Sequence, residues 1–190
     1  MLDKIESIME ALQKECFLPA LALALTIPDI CGQVEYPESN PGTRYKKWFN
    51  KYVRQYFSFS VPDLSWVDNS KLQNCYFTGE MCYSLRCAFL HSGNGEISSN
   101  TMGEAEDSTW RYEYKFLLSL ERTSVSEIWD NTKTSKRRTI TINVKELCKA
   151  ICYASKGYYD EVNDPERFAS CNCNIEIIPD EIKKWGLPSR

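Results

Sequence analysis

Apolar residues recur at steps of three and four from the start of the chain. Ile5, Ile8, Met9, Leu12 and Cys16 mark one face of an amphipathic helix over residues 3–15. Asp3 can cap it, with Glu6 three residues on in the capping-box position. The stretch Pro19–Cys31 is almost wholly apolar through Ala20, Leu21, Ala24, Leu25 and Ile27, the pattern of a helix covered on most sides. Pro28 strains a single helix there, which either ends near Thr26 or restarts at Pro28. Residues 35–43 (EYPESNPGT) have loop composition. Tyr45–Phe57 predicts a third helix, with Trp48, Phe49, Tyr52, Val53 and Tyr56 as an aromatic stripe. Residues 58–73, with Pro62 and Trp66, are irregular or a short helix. Asn74–Leu90 reads as the central helix, covered around much of its girth by Tyr76, Phe77, Met81, Cys82, Leu85, Ala88 and Phe89. His91-Ser92-Gly93 should end it, and Asn94-Gly95 turns the chain.

The period then changes. Residues 92–109 are polar and suit a surface loop. From Trp110 the side chains alternate, with Trp110, Tyr112, Tyr114, Phe116 and Leu118 on one side of a strand. Arg138–Val144 predicts a second strand, with Ile140 and Ile142 facing alike. A short helix around Val125–Trp129 and a turn are expected between them. The last helix runs from Asn143 or Val144 to about Tyr159, turning Leu147, Ile151 and Ala154 inward. Asn143 is its cap, and Glu146 closes a capping box. The expected fold is mainly α, a helical bundle with a small two-stranded β ribbon. One domain covers residues 1–160, the ribbon occupies about 110–144, and a tail of residues 161–190 packs on the same domain.

Composition narrows the class. With 190 residues and 43% apolar side chains the chain can bury a core. A formal charge of -3 and a pI of about 5.4 disfavour a dedicated duplex-DNA binder. Positive charge is local. Arg44, Lys46, Lys47, Lys51 and Arg54 line the third helix, as a solvated edge or as a surface that attracts phosphates. The apolar run Phe17–Ile27 is too short to span a bilayer, and Glu6, Glu10 and Glu15 before it are wrong for a basic leader. No membrane partner and a cytoplasmic location are therefore expected. Nine cysteines, at 16, 31, 75, 82, 87, 148, 152, 171 and 173, suit small buried hydrophobes in a reducing compartment. A structural zinc site using Cys171, Cys173 and others is the alternative, although the spacing of a zinc knuckle is missing. No metal and no cofactor are expected, and phosphate loops and dinucleotide fingerprints are absent from the sequence.

The segment Tyr83-Ser84-Leu85-Arg86-Cys87-Ala88-Phe89-Leu90-His91 holds the clearest chemistry. His91 is the only histidine. Arginine offers a phosphate a permanent charge and a planar fork. Imidazole moves protons near neutral pH. Five helical residues are about 140° of net rotation, so Arg86 and His91 converge only if the last turn loosens or if two helices meet across a dimer axis. Together they could activate a ribose 2'-hydroxyl and stabilise a charged phosphorane without metal. Equally, His91 can be a cap that favours the helix dipole, and Arg86 can pair with Glu80.

Arg86, four intervening residues and His91 at a helix end resemble the signature of the HEPN superfamily. Ala20–Cys31, Gly42–Tyr52 and Cys82–Gly93 are also similar to a family of uncharacterised bacterial proteins often carried on mobile elements. The resemblance covers residues 3–160. It implies a compact helical bundle that dimerises, with Arg86 and His91 as a metal-independent endoribonuclease pair and a dimer contact near Tyr83 and Arg86. Tyr83, Ser92 and Asn94 are the expected substrate contacts. The expected partners are a second copy, RNA, and an antitoxin or other protein, in toxin–antitoxin or phage-defence settings. Active members usually place a polar residue directly after the arginine; here it is Cys87, which leaves a non-catalytic RNA- or protein-binding module as the alternative. Lys133, Lys136, Arg137 and Arg138 near one end of the ribbon add to the RNA reading.

Overall fold

The computed structural model describes residues 1–58, 76–92, 97–99, 111–129 and 135–171. Its fold is mainly α, with six helices and one small sheet among the described residues. Helix α1 (Leu2–Gln13) buries Ile8 and Leu12. It ends in a Schellman turn: Cys16 N–H donates to the Ala11 carbonyl at 2.8 Å, and Glu15 takes a left-handed φ of 57°. The apolar stretch that follows is two helices, α2 (Phe17–Ala24) and α3 (Ile27–Glu35). Pro28 lacks the N–H that a continuous helix would need, and the Thr26 hydroxyl donates back to the Leu23 carbonyl at 2.7 Å. Phe17–Glu35 is long and apolar enough to cross a membrane, and half of it is buried within the fold, where Ala20, Leu21, Ala24, Leu25, Ile27 and Cys31 form the core.

Helix α4 (Pro41–Trp48) starts earlier than its aromatic stripe suggests, because Asn40 caps it by accepting from Thr43 N–H at 2.9 Å. A single helix to Phe57 does not form. The chain widens into a π turn over Phe49–Val53 and tightens into a 3-10 turn over Arg54–Phe57. Phe49, Val53 and Phe57 all reach the core. Asn50 Oδ1 then accepts from Gly79 N–H at 2.8 Å, at the start of α5 (Gly79–Ser92). The expectation for residues 58–73 falls almost wholly outside the described residues.

The two-stranded ribbon is a four-stranded sheet of order β1-β2-β4-β3. Strand β1 (Ile97–Ser99) lies in the expected polar loop and pairs antiparallel with β2 (Arg111–Ser119). Val125–Trp129, expected as a helix, belongs to strand β3 (Ser124–Trp129), as its β-branched and aromatic residues favour. It pairs antiparallel with β4 (Ser135–Asn143), which runs parallel to β2. Phe116, Ile140 and Ile142 turn from this sheet into the core. Phe116 meets Phe77 with ring centroids 6.1 Å apart. Asn143 locks the sheet to α6 (Val144–Val162): its side chain donates to the Leu120 carbonyl and accepts from the N–H groups of Lys145 and Glu146. Helix α6 packs on α1, α2 and α3, and Asn163 ends it with a left-handed φ of 49°. Of the tail, Phe168 is buried against Tyr158 and Tyr159. Residues 172–190 lie outside the described part.

Two glycines fix α4 between its neighbours. A Cβ on Gly32 of α3 would stand 2.8 Å from the Arg44 carbonyl oxygen, and one on Gly79 would stand 2.5 Å from that of Lys46. A methyl at either place meets rigid backbone. Gly157 in α6 has nothing within 4 Å of its own Cβ position. A second tie is Glu35, which accepts from Lys51 at 2.6 Å, Tyr52 at 3.1 Å and Tyr158 at 3.1 Å. Partial burial pushes its carboxyl pKa up, but the hydrogen bonds from Lys51, Tyr158 and Tyr52 outweigh that and hold it below the usual value.

In urea melts, Gly32→Ala and Gly79→Ala should each cost about 1–3 kcal/mol, whereas Gly157→Ala should gain about 0.5–1 kcal/mol by restricting the unfolded chain. Glu35→Gln should lose about 1–3 kcal/mol at pH 7. Because the native pKa is depressed, the stabilisation by the wild-type carboxylate is full above about pH 4.3 and fades as pH falls through the native value. The deficit of the variant should therefore shrink in acid, and a deficit that stays constant with pH would contradict the ion-pair account.

Candidate functional site

Helix α5 carries the expected pair. It begins at Thr78, whose hydroxyl faces Met81 N–H and whose carbonyl accepts from Cys82 N–H at 2.9 Å. It stays α-helical through Ser92, so its last turn does not loosen at His91. Arg86 and His91 are therefore about 140° apart around the axis and roughly 7.5 Å apart along it. Within one protomer they face different ways. Arg86 is half-buried and His91 is exposed. On this regular helix the two side chains leave the axis in different directions. Ser92 closes the helix, and Asn94 lies outside the described residues.

What surrounds Arg86 is a small cationic and aromatic cluster on α4 and α5. Its guanidinium carbon sits 5.9 Å from the ring centroid of Tyr45 and 5.8 Å from that of Tyr83. The two rings meet edge to face at 5.3 Å. Glu80 is not its partner: that carboxylate accepts from Asn50 at 3.3 Å. Among the described residues Arg86 has no ion pair, and its Nε is buried without a hydrogen-bond acceptor. Lys46 reaches the same Tyr83 ring, with Nζ 5.2 Å from the centroid. The Tyr83 hydroxyl packs on Gly42 near the start of α4, where a Cβ would stand 3.2 Å away.

Both tyrosines stay protonated at neutral pH. Burial raises the Tyr45 pKa well above its usual value, and its hydroxyl meets Cys82 Sγ at 3.3 Å. Burial, with Cys87 alongside, also raises that of Tyr83. Tyr83 thus stays a neutral phenol, with the Cys87 side chain as its hydrogen-bonding neighbour. Arg44 is spoken for: its Nε donates to Asp29 at 2.8 Å. Sequence reasoning found Arg86 and Tyr83 but not the part of Lys46, which was one of five cations along a helix with nothing in the one-dimensional pattern to single it out.

Among the described residues no group of three or more metal-capable side chains assembles. Cys173, half of the proposed zinc pair, lies outside them. Cys82, Cys148 and Cys152 are buried, and burial pushes each pKa up to about 12. Comparison with protein-family models, with curated proteins and with solved structures finds no match in any of the three.

Alkylation of the native protein by iodoacetamide at pH 8 should, among the described cysteines, label exposed Cys16 first. Cys31, Cys82, Cys148 and Cys152 should react only after unfolding. Peptide mass spectrometry checks this, and rapid native labelling of Cys82 would contradict its burial.

Proposed function

We propose that the chain is a HEPN-like cytoplasmic domain that cleaves RNA without metal, at a site that a homodimer completes from Arg86 and His91. The observation that carries this reading is the state of Arg86: a half-buried cation with an unpaired Nε and no carboxylate among the described residues, on the helix that ends with the one histidine. Leaving such a charge uncompensated costs stability, and a phosphate oxygen is the acceptor that its geometry suits.

The chemistry is a transphosphorylation. One His91 takes the proton of the ribose 2'-hydroxyl, and the oxygen attacks the adjacent phosphorus. Arg86 offsets the charge that builds on the equatorial oxygens. The 5'-oxygen leaves with a proton from the second copy's His91. The products are a 2',3'-cyclic phosphate and a 5'-hydroxyl, so no water or metal enters the first step. Tyr83, Ser92 and Asn94 are the proposed substrate contacts.

A second reading has its own support. Cys87 takes the place of the polar residue usual after the arginine, and two rings already hold Arg86. These features favour a non-catalytic module for RNA or for a protein partner such as an antitoxin.

The test is incubation with mixed single-stranded and structured RNA in EDTA. Wild type should give fragments ending in 2',3'-cyclic phosphate, and His91→Ala should cut at least about 100-fold more slowly. Equal cutting by His91→Ala would overturn the nuclease reading. Binding by wild type without any cleavage would assign the module reading instead.

A further inference from the structure

We infer that Lys46, Tyr83 and Arg86 form a phosphodiester-binding subsite on the face shared by α4 and α5, with single-stranded RNA as its ligand. The inference deepens the RNA reading of Arg86 but requires neither His91 nor cleavage.

A run of cations lies along α4 and the short helical turns after it. The fold sorts that run into neutralised and free charges. Arg44 is bonded to Asp29 at 2.8 Å, and Lys51 is bonded to Glu35 at 2.6 Å. Lys46 and Lys47 have no carboxylate among the described residues and rest on tyrosine rings instead. They part company there. Lys47 is exposed and lies 5.5 Å from the ring of Tyr36, which no second cation shares among the described residues. Lys46 lies on the ring that Arg86 also uses, at 5.2 and 5.8 Å from one centroid.

Two like charges drawn to one ring repel each other, and at partly buried positions the repulsion is weakly screened. Cation–π attraction holds both groups at the ring, but it leaves both charges uncompensated. A diffusely hydrated surface has no need of such convergence. A polyanion neutralises both cations at once, and the Tyr83 ring gives them a common platform. The net acidity of the chain fits a local site rather than a general affinity for nucleic acid.

The test compares two substitutions of equal charge. Affinity for a fluorescein-labelled, mixed-sequence single-stranded RNA is measured by anisotropy in EDTA over a range of salt, with wild type, Lys46→Ala, Lys46→Arg and Lys47→Ala. Lys46→Ala should weaken binding about threefold or more and flatten the plot of log K against log salt by about 0.7. Lys46→Arg should restore most of the affinity, and Lys47→Ala should stay near wild type. Equal losses for Lys46→Ala and Lys47→Ala would show a diffuse field and overturn the subsite, as would a wild type that binds no RNA. A wild type that binds in this manner yet never cleaves leaves the subsite standing and removes only the nuclease reading.

Discussion

The close approach of α4 to α3 and α5 is the constraint on which the rest depends. Gly32 and Gly79 leave no side chain between the helices, so the carbonyls of Arg44 and Lys46 press against their backbones. At that distance Tyr45 is wholly buried and its ring reaches Tyr83, while Lys46 and Arg86 meet over one tyrosine. Larger residues at either glycine would part the helices and dissolve the cluster, whatever the identity of its members.

Around that contact the molecule uses polar ties where helices end. Glu35 holds the end of α3 to the π turn and to α6 through three donors. Asn143 holds the β2–β3 connection and caps α6 in the same stroke. Asn50 in the π turn supplies the acceptor for the first N–H of α5. The Asn143 and Asn50 ties satisfy backbone groups at element ends that would otherwise lack partners, whereas the Glu35 tie joins side chains alone. The Trp48 indole N–H is the contrary case, a buried donor without an acceptor among the described residues. Its ring contacts with Tyr52 and Tyr158 offset that loss.

The functional reading turns on a distinction the fold makes among cations. Arg44 and Lys51 have a carboxylate at hydrogen-bond distance, whereas Lys46, Lys47 and Arg86 rest on aromatic rings. Arg86 belongs to the second group, although its own chain places His91 on another side of α5. The proposed catalytic pair therefore depends on a second copy, whereas the proposed phosphate-binding face does not. This separation lets cleavage and binding be tested independently.

Periodicity in the sequence determined the helices, since the apolar faces of α1, α5 and α6 repeat at helical spacing whatever they pack against. It also marked β2 and β4, the Asn143 cap and the break near Thr26. It failed at β3, where Val125, Ile128 and Trp129 suit a strand only once β4 is beside them. It failed too at the π and 3-10 turns, because positions 49, 53 and 57 share one face of a regular α-helix as well. The motif gave Arg86 and His91 as residues, but their relation depended on whether the last turn of α5 stays regular. Which lysines are neutralised was settled only in three dimensions. An ion pair between Lys51 and Glu35, or a ring shared by Lys46 and Arg86, joins residues far apart in the chain, and no local pattern encodes such a distance.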